Sequence, residues 1–218
     1  MKFNTDPAEQ TTAATDIIIA FVAFGGILFL RLPVLNGTAL WKINIWAAAI
    51  GLIGLAATLG AAAHGLVLSP RIHHRIWLIL NMALALAVSL FVVGVVYDLW
   101  GLAASLKALP IMLVAGLSFY LATWRWPGIF FVFIIYEGLS LFFALGAYAF
   151  LAIQEALRGA GWMSAGILIS IVAAGIQANK SVRITLFFEF DHNGIYHLVQ
   201  TIGLLFLLVG LRWSVING

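Results

Sequence analysis

The sequence predicts an all-α membrane protein, a bundle of seven transmembrane helices forming one polytopic domain over residues 1–218. Three observations predict it. Hydrophobic residues make up 64% of the chain and charged residues 9%, with a mean hydropathy of +1.10; a soluble domain is about half apolar and about a quarter charged. Seven apolar stretches, about 17–35, 43–68, 76–97, 109–124, 128–153, 162–178 and 192–215, approach or exceed the roughly 20 residues that cross a hydrocarbon core. The outward-apolar, inward-polar alternation of a membrane barrel is absent, and no linker is long enough to separate domains.

The first 16 residues, MKFNTDPAEQTTAATD, mix Lys2 with Asp6, Glu9 and Asp16 and lack the basic, then apolar, order of a signal peptide, so no cleavage is expected. Thr15 and Asp16 suit the N-cap of span one. Asn36-Gly37 ends it. Span two, AAAIGLIGLAATLGAAAHGL, is rich in Ala and Gly, which lets a neighbour approach closely and suggests a central helix. Ser69-Pro70-Arg71, Gly101 to Lys107, Arg125-Trp126-Pro127, Gly159-Ala160-Gly161 and the longer stretch Asn179 to Asp191 separate the remaining spans. Trp41, Trp46, Trp77, Trp100, Trp124, Trp126, Trp162 and Trp213 fall near span ends, as in an aromatic belt. Seven spans put the termini on opposite faces. Lys and Arg divide six to five between those faces, and His73 and His74 tilt the N-terminus toward the cytoplasm.

A net charge of +3 from 11 basic and 8 acidic residues is too small and scattered for nucleic acid. The expected partners are lipids and other membrane proteins, and the expected location is a multi-pass position in a bacterial inner membrane. The absence of cysteine excludes disulfides, thiolate nucleophiles and iron-sulfur clusters. Any metal must therefore use His, Asp, Glu or water.

Polar groups at membrane depth are costly and face a bundle interior or a water-filled cavity. They are His64, Asn81, Glu137, Gln177, His192, Asn193, His197 and Gln200. At 1.5 Å per residue, His64, Asn81 and His197 each lie roughly 7 to 9 Å inside one membrane face, so they can meet. Glu137, roughly 15 Å deep, would floor their cavity, and Asp98 belongs to the opposite face. Asn193 and His197, four apart, share a helix face; His192 joins them only if the helix begins after it. Such imidazoles and amides suit either a divalent metal, with zinc as the expected ion, or interhelical hydrogen bonding. In the zinc reading His64, His197 and His192 are ligands, and Asn81 and Asn193 orient water or stabilise an oxyanion.

A His near the end of span two, a polar residue early in span three and the opening DHNGIYHLVQ (191–200) of span seven resemble the CREST superfamily of membrane hydrolases. That superfamily includes the alkaline ceramidases and the progestin and adiponectin receptor relatives. The resemblance implies a zinc site that hydrolyses a lipid amide, with His64 and His197 in ligand positions. Gly60 stands where the family has Ser, Asn81 where it has Asp, and Asn193 where it has the first seventh-helix His. These departures imply a degenerate site, either shifted to His192 or turned to non-catalytic, lipid-binding or receptor-like work. Alternatives are an accessory or structural subunit of a membrane complex, and a bis-His haem between His64 and His197.

Overall fold

The computed structural model describes residues 2–32, 40–126, 130–185 and 187–216; the expected turns at Asn36-Gly37 and Pro127 lie outside them. The described residues form six helices and one short hairpin: α1 (Pro7–Arg31), α2 (Leu40–Gly65), α3 (Pro70–Arg125), α4 (Phe130–Ile153), α5 (Ala160–Ala178), β1 (Arg183–Thr185), β2 (Glu189–Asp191) and α6 (His192–Ile216). Among the described residues, six helices are long and apolar enough to cross a membrane.

Helix α1 starts ten residues before the apolar stretch that announces it. Asp6 caps it, accepting from the N–H of Ala8 at 2.9 Å and of Glu9 at 3.4 Å, and Pro7 occupies the first helical position. The D-P-x-E pattern is a helix start in its own right. Thr15 and Asp16 are thus not a cap. They lie inside the helix, and both are buried.

Helix α3 contains two of the expected spans. The segment Gly101 to Lys107, expected as a loop, is helical except at Gly101, whose φ of 78° lies in a region closed to most side chains. There the chain folds back, and residues 70–100 and 102–125 form two antiparallel limbs. Ser89 Oγ donates to the carbonyl of Met112 at 2.8 Å, and Ser105 Oγ to that of Val93 at 3.3 Å.

Each helix packs on its neighbours in sequence, and α6 closes the circuit by packing on α1. The direction of four of these pairs follows from their contacts. Gly54 meets Ala23, Gly60 meets Asp16 and Gly65 meets Ala13, so α1 and α2 are antiparallel. Lys42 with Asp98 and His64 with Trp77 make α2 antiparallel to the first limb of α3. Met163 against Gly210 and Ser170 against Gly203 do the same for α5 and α6. Thr15 with His197 and Gly26 with Leu208 make α1 and α6 parallel. Span two is accordingly one wall of a ring rather than its central helix, and its small residues admit α1.

The largest apolar cluster joins all six helices around Trp46, Tyr148, Met163 and Leu211, with Val95 the member from α3. Trp46 is 1% exposed and so is no belt residue; its indole fills the space that a side chain at Gly94 would need. Trp100, Trp124, Trp126, Trp162 and Trp213 are exposed, as an interface belt requires. Lys42, counted among the flanking charges, is buried. Its Nζ lies 2.5 Å from Asp98 Oδ1, and Tyr148 donates to Asp98 Oδ2 at 2.8 Å.

Between α5 and α6 the strands β1 and β2 pair in antiparallel register, Arg183 with Asp191 and Thr185 with Glu189. Thr11 donates to the carbonyl of Glu189 at 2.6 Å and fastens this hairpin to α1. A second short pairing runs between residues 2–4 and 65–67, through Asn4 N–H to Gly65 O and Val67 N–H to Lys2 O, both at 2.9 Å.

Candidate functional site

The ring lines a partly open cavity with about 220 Å³ of space for water-sized molecules. One water needs roughly 10–15 Å³ by that measure, so the space holds on the order of ten waters or the head and part of the tail of a small amphiphile. All six helices line it; of α3 only the first limb contributes.

The polar groups come mainly from the helix ends nearest the start of α1. Helix α1 supplies Asp16, α2 supplies His64, and α3 supplies Asn81. Glu137 and Ser140 come from α4, Ser170 and Gln177 from α5, and Asn193, Tyr196, His197 and Gln200 from α6. Elsewhere the wall is apolar: Ile53, Leu84, Val88, Phe91, Leu141, Leu204 and Leu207. On α3 the lining runs from Trp77 to Phe91, a rise of roughly 21 Å at 1.5 Å per residue. The cavity is therefore long and parallel to the helices.

Of the residues singled out from sequence, His64, Asn81, Glu137, Gln177, Asn193, His197 and Gln200 all line this one space. His192 does not; its Nδ1 lies 3.7 Å from Asp191 Oδ2. Asn193 is tied to the same carboxylate, donating from its backbone N–H to Oδ1 at 3.0 Å. Asp191 caps α6, accepting also from Gly194 N–H at 2.9 Å and from Thr12 Oγ1 at 3.1 Å. Partial burial alone would raise its pKa. The donors, led by the Gly194 N–H and Thr12, together with nearby His192, outweigh that and hold it below the ordinary carboxylate value.

The residue that sequence reasoning missed is Asp16. Thr12, Thr15, Asp16 and Ile19 stand at i, i+3, i+4 and i+7 on α1 and are all buried. Thr12 and Thr15 turn to α6 and its approach; Asp16 and Ile19 also border the cavity. The signal was the D-P-x-E start, which carries the helix through this polar stretch and puts the carboxylate on the face of Ile19.

Asp16 Oδ1 lies 3.5 Å from His197 Nε2, while Oδ2 is buried without a hydrogen-bond partner. The other ring nitrogen of His197 lies 3.2 Å from Thr15 Oγ1, whose hydroxyl donates to the Thr12 carbonyl at 2.9 Å. With that hydrogen committed, Nδ1–H of His197 is the donor to Thr15. The pair sets a carboxyl and an imidazole side by side on neighbouring helices.

Gly60 makes this possible. A Cβ there would fall 2.6 Å from Asp16 Oδ2, so the α1 carboxylate occupies the volume that a side chain at position 60 would take. The absence of a side chain at position 60 thus has a physical role.

His64 Nδ1 is 2.8 Å from Glu9 Oε2, and its ring meets that of Trp77 edge-on at 5.7 Å between centroids. Both nitrogens of His197 and one of His64 are thereby engaged. Among the described residues no group of three or more His, Asp or Glu side chains is placed to hold a metal ion, so this donor set does not fit zinc as it stands. No curated protein and no solved structure matches the chain. Residues 11–214, nearly its whole length, match the family described as "Family of unknown function (DUF6962)", and the chain belongs to that family.

Proposed function

We propose that this chain is an integral membrane protein of seven spans whose interhelical cavity holds a lipid-like amphiphile in receptor-like fashion. The seventh span comes from dividing α3 at Gly101, and the parallel course of α1 and α6 agrees with an odd number of crossings. Reporter fusions at the two termini should then report opposite sides of the membrane. Signals from the same side would refute the span count.

One observation carries the ligand-holding reading: a single elongated cavity has its polar groups gathered toward one end and a continuous aliphatic wall beyond them. Binding sites of this kind are mostly apolar, with a few convergent polar groups that fix orientation. The resemblance to the CREST superfamily supports the same location, because His64, Asn81 and His197 all border it. The hydrolytic version needs three good ligands and an open position on zinc; with Asn at 81 and 193, holding a ligand is the better supported task.

Protein purified in mild detergent should carry a co-purifying amphiphile, detected by extraction and mass spectrometry. Leu84→Trp puts an indole into the apolar wall and should reduce the amount bound by about ten- to a hundredfold, the equivalent of about 1–3 kcal/mol of overpacking. Equal amounts in both proteins would remove the cavity from the account. Stoichiometric zinc that disappears in both His64→Ala and His197→Ala would instead favour the hydrolase.

A further inference from the structure

Asn81 on α3, Gln177 on α5, and Tyr196 and Gln200 on α6 line the cavity, and among the described residues their side chains form no hydrogen bond. Their polar atoms are open, whereas Asp16 Oδ2 is sealed. Ser140 and Ser170, by contrast, are committed, donating to the carbonyls of Tyr136 at 2.9 Å and Gly166 at 3.0 Å. The four open groups stand near one level. Ser170 lies against Gly203 in antiparallel helices, and the same number of residues separates Ser170 from Gln177 and Tyr196 from Gly203, so Gln177 and Tyr196 match in height. Gln200 is one turn from Tyr196 on α6. Gly60 and Asn81 are each one turn deeper than the ring contact of His64 with Trp77, and Asp16 joins the level of Gly60 to that of His197. Polar groups at such depth that pair with nothing in the protein must pair with water or with a ligand.

Resting on the amphiphile reading above, we infer that the cavity takes the uncharged polyhydroxyl head of a single-chain amphiphile, with hydroxyls paired to Asn81, Gln177, Tyr196 and Gln200 and the chain along Leu84 and Leu204. A carboxamide sets N–H donors beside a carbonyl acceptor, and a phenol carries both functions on one oxygen. Adjacent hydroxyls return the same pairing, a donor beside an acceptor. A lone alcohol has one donor and two lone pairs, too few for four groups on three helices; several hydroxyls on one head suffice. An anionic head meets no Lys or Arg among the described lining residues, and it meets Glu137 as a further acid. A cationic head has donors only, so the amide N–H groups of Asn81, Gln177 and Gln200 would face it unpaired. Trp77, one turn before Asn81 and also on the lining, adds an aromatic surface for the C–H side of a polyol.

The test uses the purified full chain in polyoxyethylene micelles at pH 7, with protein-free micelles as the blank. It is titrated calorimetrically with 1-O-decylglycerol, decyl glucoside, decanol and decylamine. At least one of the two polyols should bind about ten- to a hundredfold more tightly than decanol or decylamine, as two or three further neutral hydrogen bonds give, and the tighter of the two tells a glycerol head from a sugar head. In the double variant Gln177→Leu with Gln200→Leu that ratio should fall at least about fivefold, while the thermal midpoint of the ligand-free protein stays level or rises, because these amides bond to nothing in the fold. The comparison of ligands on wild-type protein needs no variant, so a poorly folding double variant leaves the test intact. Decanol binding as tightly as both polyols, a preference for decylamine, or a polyol preference that survives in the double variant would each overturn the polyhydroxyl assignment while leaving an amphiphile cavity in place. Failure of every probe to bind would overturn both.

Discussion

Lys42→Ala should lower the unfolding free energy by about 3–5 kcal/mol, among the largest losses from any single side-chain truncation in this protein. Lys42 and Asp98 are 5% and 1% exposed at the side chain, and the Tyr148 hydroxyl is the further donor to the same carboxylate. Removing one member of such a pair strands a charge in a low-dielectric interior, which is what costs about 3–5 kcal/mol elsewhere. The pair need not be strongly stabilising for this to hold. Replacing both members together, as Lys42→Met with Asp98→Leu, should recover most of the loss, because well-packed apolar substitutes for a buried pair are often neutral or better. Denaturant unfolding in micelles, followed by tryptophan fluorescence, measures all three proteins. A Lys42→Ala loss below about 1 kcal/mol would mean that the pair behaves as a solvated one.

Gly203→Val should be comparably damaging for a different reason. A Cβ at 203 would stand 2.7 Å from Ser170 Oγ and 2.9 Å from the Gly166 carbonyl; a Cβ at 166 would stand 2.6 Å from the Gly203 carbonyl and 2.8 Å from the Leu207 nitrogen. These obstacles include backbone, so rotamer changes cannot relieve them. Overpacking costs about 1–3 kcal/mol when side chains can yield, and here α5 and α6 must move apart. Gly175→Ala, on α5 with nothing within 4 Å of the added carbon, should be neutral or stabilising by up to about 1 kcal/mol from helix propensity alone. Similar yields and thermal midpoints for Gly203→Val and Gly175→Ala would show that the seam tolerates separation.

The apolar helices were legible because hydropathy averaged over a window reports a long apolar segment whatever its neighbours are. Starts and ends of α2, α5 and α6 were read to within about three residues for that reason, and the depth arithmetic brought His64, Asn81 and His197 to the same level. Polar residues at the edge of an apolar window were not legible. Asp16 and Lys42 both look like flanking charges, and only their partners on other helices, His197 and Asp98, turn them into interior groups. Hydropathy also cannot say how many residues a reversal takes. Gly101 alone suffices because its positive φ turns the chain in one step, where a seven-residue loop was expected. The hairpin of β1 and β2 is held by Thr11 and by the Asp191 cap, contacts almost 180 residues apart in sequence that no local pattern contains.

The fit of the Asp16 carboxylate into the gap at Gly60 ties the bulk tolerated at position 60 to the residue at position 16. Ser or Ala at 60 requires a shorter residue 16 or a carboxylate swung out of the way, and a small residue at 16 leaves room for a side chain at 60. The two positions therefore exchange bulk and polarity across two helices. The polar end of the cavity can thus pass from an α1 carboxylate to an α2 hydroxyl while the backbone of the ring stays as it is.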